Sequence, residues 1–266
     1  MKKIITLLTD FGLKDPYVSA MKGVILSICP DANIVDISHE IRKFDIRQGA
    51  YILAASAPFF PKGTIHIGVV DPGVGTIRKA IIIETKRSFY IGPDNGLLTL
   101  AALREGIRKV VQITNKKYML PRVSHTFHGR DIFAPAAAHL ANGVPIEDFG
   151  PPLEKYETLS FSEPHVRKNQ VEGEIIYIDG FGNIVTNIYS EILEKTGINE
   201  GDKIKILLND KLEKVLRICK AYDEVKKGDF LAIIGSSNFL EISINQGNAA
   251  QKLNVKEGAK IVVKII

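Results

Sequence analysis

A change of pattern near residue 150 constrains this chain more than any single motif. Before it, apolar runs of strand length alternate with stretches at helical spacing. After Gly150-Pro151-Pro152, short strand-like runs follow one another. Alternation predicts a mainly parallel sheet with helices on both faces, whereas strands in succession predict a small barrel or sandwich. A chain of 266 residues has room for both. The expected layout is an α/β domain over residues 1–155, a proline-rich linker over 156–170, and an all-β domain over 171–266.

In the first part, strands are predicted at residues 4–9, 33–37, 65–70, 80–84, 88–91 and 109–113. Asp15-Pro16 reads as a helix N-cap followed by proline at the first helical position. Val18, Met21, Ile25 and Ile28 then fall on one face. Further helices are predicted at 45–57, at 97–103 and through the alanine-rich run ending near His139. In the second part, strands are predicted at 173–179, 184–188, 203–208, 211–218, 230–234, 240–244 and 260–265. One helical piece is expected at 190–196, and a turn at Asn209-Asp210.

Acids, glycines and amides gather where strands end. Asp71, after the apolar run 65–70, is followed by Pro72-Gly73-Val74-Gly75 and, seven residues on, by Arg78. Ligands of open α/β sheets sit outside the carboxyl ends of strands, so an acid there is placed for chemistry; a turn acid capping a backbone amide is the other reading. Asp10, with Phe11-Gly12 and Asp15, ends the first strand, and its carboxylate is able to accept both hydroxyls of a ribose. His128 stands beside Gly129 and ahead of Arg130-Asp131, just before a helix. In the second part, Asp179-Gly180-Phe181-Gly182-Asn183, Ser236-Ser237-Asn238-Phe239 and Gly247-Asn248-Ala249-Ala250 offer a ring to stack on a purine and amides to meet its edge. They also suit plain β-turns.

Several classes are disfavoured. Neither a Walker loop nor a G-x-G-x-x-G fingerprint occurs, so triphosphates and dinucleotides are not expected. No pair among the six histidines has metal-ligand spacing, and no metal is expected. The 35 basic residues are offset by 30 acidic ones without a long basic block, which argues against nucleic acid. Cys29 and Cys219 sit in apolar surroundings without partner spacing, as in a reducing compartment, and the N-terminal apolar run is too short for a signal peptide or membrane span. A cytoplasmic protein is expected.

Taken together, the motifs resemble those of the S-adenosylmethionine hydroxide adenosyltransferases, relatives of the fluorinases and chlorinases. The resemblance is carried by Thr9-Asp10-Phe11-Gly12, Val70-Asp71-Pro72-Gly73-Val74-Gly75, Pro93-Asp94-Asn95-Gly96, Thr126-Phe127-His128-Gly129-Arg130-Asp131, Asp179-Gly180-Phe181-Gly182-Asn183 and Gly247-Asn248-Ala249-Ala250, and it covers nearly the whole chain. It implies a Rossmann-like α/β/α domain followed by a small β-barrel, in a homotrimer whose sites lie between subunits. It also implies hydrolysis of S-adenosylmethionine to adenosine and methionine by attack of water or hydroxide at the ribose 5′ carbon, with no cofactor. By the same resemblance, Asp71, Arg78 and His128 are the catalytic set. Asp10, Asp15, Phe44, Asp94, Asn95, Gly129, Asp179, Phe181, Asn183, Ser236, Phe239, Asn248 and Ala249 bind the substrate. The halogenating relatives have an arginine after the equivalent of Ser236, where this chain has Ser237. The alternatives are a halide-dependent adenosyltransferase and a non-catalytic adenosine or S-adenosylmethionine binder.

Overall fold

The computed structural model describes residues 3–159, 161–167, 169–209 and 212–266. The chain divides into two compact units, Met1–Ser160 and Phe161–Ile266.

The first unit is built on a six-stranded sheet. Its strands are β1 (Ile4–Thr9), β2 (Asn33–Ser38), β3 (Ile65–Val69), β4 (Ala80–Thr85), β5 (Phe89–Pro93) and β6 (Ile107–Gln112). They lie in the order β2-β1-β3-β5-β4-β6, and the first four are parallel. β4 runs antiparallel to both of its neighbours, because a tight connection joins it to β5. Helices α1 (Tyr17–Ile28) and α4 (Ala134–Ala141) pack on one face; α2 (Ile46–Ser56) and α3 (Thr99–Glu105) cover the other. All five residues of β3 are buried, as a parallel strand covered on both faces requires.

From β1 the chain passes through α1 to β2 on one side, then through α2 to β3 on the other. The strand order therefore reverses between β1 and β3, and a crevice opens at their carboxyl ends. Asp10 follows β1 and Asp71 lies just beyond β3, so the topology alone brings the two acids to one place.

The second unit is a closed barrel. Strands β8 (Gln170–Ile178), β9 (Ile184–Tyr189), β10 (Lys203–Leu208), β11 (Leu212–Cys219), β12 (Phe230–Ile234), β13 (Phe239–Ile244) and β14 (Lys260–Ile265) run in the order β14-β10-β11-β12-β13-β9-β8. A β14–β8 pairing seals the ring at seven strands. Alternate side chains such as Ile204, Ile206, Leu240 and Ile242 fill its interior.

The structure departs from the sequence expectations at several points. Pro16, not Asp15, occupies the cap position of α1, and no side chain caps that end; the proline's own backbone angles (φ −76°, ψ 5°) start the helix. β7 (His165–Arg167) falls in the expected linker, paired with β8. The barrel unit holds a second helix besides α5 (Ser190–Lys195), namely α6 (Ala249–Leu253), which begins at the expected ligand turn. Asp210 and Lys211, at the expected turn and strand start, lie outside the described residues.

His66 on β3 marks how tightly the first core is packed. Its ring stacks on Tyr90 at 5.0 Å, meets Phe60 edge-on, and places Nδ1 2.8 Å from the Thr6 hydroxyl. Burial, and then the charge of Arg87, lower its pKa from 6.5 to about 4. The unfolded chain takes up a proton near 6.5 while the folded chain refuses it until about 4. Stability is therefore lost as pH falls through that window, by about 3 kcal/mol from this group. Urea unfolding at pH 7.5 and 4.5 should show that loss, and His66→Gln should remove most of the difference; an unchanged difference would assign the acid sensitivity elsewhere.

Candidate active site

The crevice between β1 and β3 is a cleft of about 330 Å³, within the range of small-molecule sites. Its polar wall holds Asp10, Asp15, Lys43, Asp71 and His128. Its apolar wall is a mutually packed trio, Phe11, Tyr17 and Phe127, with ring centroids 5.1–5.8 Å apart.

Asp10 is nearly buried, and the Phe44 amide donates to its Oδ2 at 2.9 Å, while Lys43 Nζ donates to its backbone carbonyl. Phe44 itself has φ of +67°, a conformation disfavoured for a large side chain. It is held there by the Asp10 bond on one side and by Asp45, whose carboxylate caps α2 through the Gln48 amide, on the other. The outcome is an aromatic ring 68 % exposed at the lip of the cleft.

Asp71 and Arg78 form a two-pronged pair, Nε to Oδ1 at 2.9 Å and Nη2 to Oδ2. Arg78 Nη2 also donates to His128 Nδ1 at 2.9 Å, and Nη1 to the Lys79 carbonyl. Four of the five guanidinium N–H bonds are thus committed, and the group lies over the buried ring of Phe133. Arg78 does not wall the cleft; it braces Asp71 and His128 from behind. A guanidinium only donates, so Nδ1 of His128 is the acceptor and the ring proton rests on Nε2. Burial, followed by the Arg78 charge, lowers the His128 pKa and favours that neutral ring.

The loop from Asp71 to Arg78 reaches His128 because Gly75 has no side chain. Its φ is +77°, and a Cβ there would come within 2.2 Å of the His125 carbonyl oxygen. His128 then leads into a π-helical turn, Gly129–Phe133, whose wide pitch runs on into α4.

Other expected site residues fall elsewhere. Asn95 Nδ2 donates to the Val70 carbonyl at 2.9 Å, so it props the strand end that carries Asp71. Asp94, its carboxyl pushed up by burial, accepts from the Glu157 amide and lines a separate depression with Asn95 and Arg78. In the barrel unit, Asp179, Phe181 and Asn183 wall a cavity of about 600 Å³ together with Tyr222. Phe181 is 81 % exposed. Ser236 occupies an exposed hairpin turn, and Phe239 is buried against Tyr189 at 4.7 Å. Asn248 caps α6 through the Gln251 amide, and Ala249 points into the barrel core.

Sequence reasoning passed over Lys43, Phe11, Tyr17, Phe127 and Tyr222 as site residues. Phe11 and Phe127 stood inside quoted motifs. Lys43 and Tyr222 stood in no motif, and only folding places them.

Two family models together match most of the chain: the SAM hydroxide adenosyltransferase N-terminal domain over residues 5–150 and the corresponding C-terminal domain over residues 173–262. An (R)-S-adenosyl-L-methionine hydrolase of Methanocaldococcus jannaschii is 41% identical over 263 residues, covering 95% of this chain and 92% of the relative. A fluorinase of Actinopolyspora mzabensis is 29% identical, covering 98% and 97%. Among solved structures, an uncharacterized conserved protein from Thermotoga maritima superposes with a TM-score of 0.94 at 41% identity, covering 98% of this chain and 99% of that one.

Proposed function

The chain belongs to the S-adenosylmethionine hydroxide adenosyltransferase family and hydrolyses S-adenosylmethionine, and from that premise we propose that Asp71, Arg78 and His128 form its catalytic centre. The observation that carries this reading is the bracket of Arg78 on both Asp71 and His128, beside Asp10 in one cleft.

Water attacks the ribose 5′ carbon as the C5′–S bond breaks. The bonding pair leaves with sulfur, which becomes the neutral thioether of methionine, so the leaving group needs no acid. The attacking oxygen gains positive charge as the new C–O bond forms, and its proton becomes strongly acidic. A weak base therefore suffices late in the step, and Asp71 takes the proton. Arg78 weakens the basicity of Asp71 but fixes its direction; alignment of this kind is worth up to about 7–11 kcal/mol. With its proton on Nε2, His128 acts as a donor that orients the water, not as the first base. Asp10 holds the ribose hydroxyls and Phe44 lies along the sugar.

The exposed Phe181 and Phe44 support a partnership between copies. We place Asp179, Phe181 and Asn183 of a neighbouring copy over the cleft in a homotrimer, and the reaction in the cytoplasm, where free Cys29 and Cys219 stay reduced.

Turnover of S-adenosylmethionine, run with each sulfonium epimer because the relatives are named for the (R) form, should release adenosine and methionine in equal amounts. In ¹⁸O-water the label should appear in the 5′ hydroxyl. Chloride-dependent 5′-chloroadenosine, or binding without adenosine above background, would overturn the reading.

A further inference from the structure

Asp131 lies inside the π-helical turn that follows His128 and is fully buried. Its Oδ2 accepts from the Ser124 amide at 2.8 Å and from the Ser124 hydroxyl at 2.6 Å. Arg130 donates to the same carboxylate, Nε to Oδ1 at 2.6 Å and Nη2 to Oδ2 at 3.2 Å. The Ser124 hydroxyl oxygen in turn accepts from the Phe127 amide at 3.1 Å, and the Asp131 amide donates to the Phe127 carbonyl at 3.1 Å. Residues 124–127 are thus folded back onto the turn and closed there by one acid. A buried carboxylate must be paired and hydrogen-bonded, and anchoring a loop would account for that much.

What that loop carries gives the anchor a second consequence. His125 supplies the carbonyl against which the bare Gly75 packs, so the loop meets the segment of Asp71 and Arg78 there. Thr126 and Phe127 line the cleft beside His128. Phe127 is gripped from two sides: the Arg130 guanidinium lies over its ring at 5.0 Å, and Phe11 and Tyr17 meet it edge-on. By holding Ser124 and Arg130 together, Asp131 keeps the His125 carbonyl and the Phe127 ring in one register. His128 stands between Ser124 and Asp131 in the chain, with Arg78 on its Nδ1. Asp131, Ser124 and Arg130 themselves stand behind the cleft wall, not in it.

Resting on the role given to His128 in the preceding subsection, we propose that Asp131 is a positioning residue of the reaction, which through Ser124 and Arg130 sets the place of His128 and Phe127 against the substrate. It touches no reacting atom. Its charge bears on the same ring. The charged and titrating groups that face His128 are Arg78 and Asp71 from the loop after β3, His125 and Asp131 from its own segment, and, across the cleft, Asp10, Asp15 and Lys43. Arg78 disfavours the imidazolium, whereas Asp71 and Asp131 favour it. Loss of the Asp131 charge therefore lowers the pH at which the ring takes up its second proton.

Two variants separate the parts of this role. Ser124→Ala removes the hydroxyl clasp and leaves the charge in place; Asp131→Asn keeps the volume and removes the charge. Turnover per folded molecule should fall roughly 3- to 10-fold in the first, the worth of one hydrogen bond. In the second it should fall roughly 10- to 100-fold, because misplacing a reacting group by about 1 Å costs up to about 10²-fold. KM should stay within about threefold of wild type in both, as when an interaction made in the transition state is lost. The acid limb of kcat should move to lower pH in Asp131→Asn and stay in place in Ser124→Ala. NMR titration of the His128 ring in the substrate-free enzyme should show the same downward shift in Asp131→Asn alone. Variants that only melt lower, with wild-type kcat and an unmoved ring titration, reduce Asp131 to a loop anchor and overturn the proposal, as does a change confined to KM. Should Asp131→Asn fail to fold, a wild-type kcat in Ser124→Ala overturns it. A wild type that releases no adenosine would overturn the hydrolase reading instead, and the ring titration still decides whether Asp131 governs His128.

Discussion

Asp71→Asn should lower the rate of adenosine formation by about 10²–10⁴-fold, the range lost with a general base. The amide keeps the volume of the carboxylate but has no basic oxygen pair to take the proton of the attacking water. One of its two heteroatoms becomes a donor facing the donors of Arg78, so the bracket also loosens. Adenosine affinity should stay within a few-fold of wild type, because the proposed reading assigns the sugar to Asp10, which follows a different strand. Single-turnover kinetics with S-adenosylmethionine, alongside equilibrium binding of adenosine, separate the two. A variant that turned over at the wild-type rate would remove Asp71 from the chemistry.

Arg78→Ala is expected to have the largest combined effect. The side chains of Asp71 and Arg78 are only 5% and 10% exposed, and removal of one partner leaves the other charge buried and uncompensated. Breaking such a pair costs about 3–5 kcal/mol, or roughly 6–20 °C in melting temperature for a unit of this size. Turnover should fall with it, since His128 loses the donor that fixes its tautomer. The pH profile should respond in a known direction. Arg78 is one of the charges that lower the His128 pKa, so its loss lets the ring protonate at higher pH, and the acid limb of kcat should move upward. Pairing the change with Asp71→Asn should recover part of the stability without recovering rate, because the two residues act as a unit. An additive double variant would deny that coupling.

Much of this arrangement was readable in the chain. The alternating pattern gave the α/β unit and the run of short strands gave the barrel, because binary patterning is what distinguishes those architectures. Asp10 and Asp71 were recognisable because each follows an apolar strand at a glycine turn. The π-helical turn beyond His128 left no mark in residue type, and neither did the strand β7 in a proline-rich stretch. Arg78 was legible as a residue but not as a brace. Its spacing allowed it to reach Asp71, yet that it stands behind the acid, with most of its donors committed, depends on Gly75 admitting the His125 carbonyl. Asn95 and Asn248 stood at motif positions, and that each also supports the fold, one through a backbone carbonyl and the other through a helix end, was not legible, because an amide in such a role looks the same in sequence as one that meets a ligand.

The barrel's ring is sealed by the pairing of β14 with β8, strands at opposite ends of the second unit's sequence. During synthesis, β8 and β10 each emerge with one edge unpaired and wait for the same late strand. Until β14 leaves the ribosome, the growing unit is an open sheet with two free rims, the form in which β-rich chains stick to one another. The α/β unit faces no such delay, for its six strands are complete once residue 112 has been made, and His128 and α4 follow by Ala141, before the barrel begins. The cell thus meets a folded cleft before a folded barrel, and the interval between them is when this protein has most need of a chaperone.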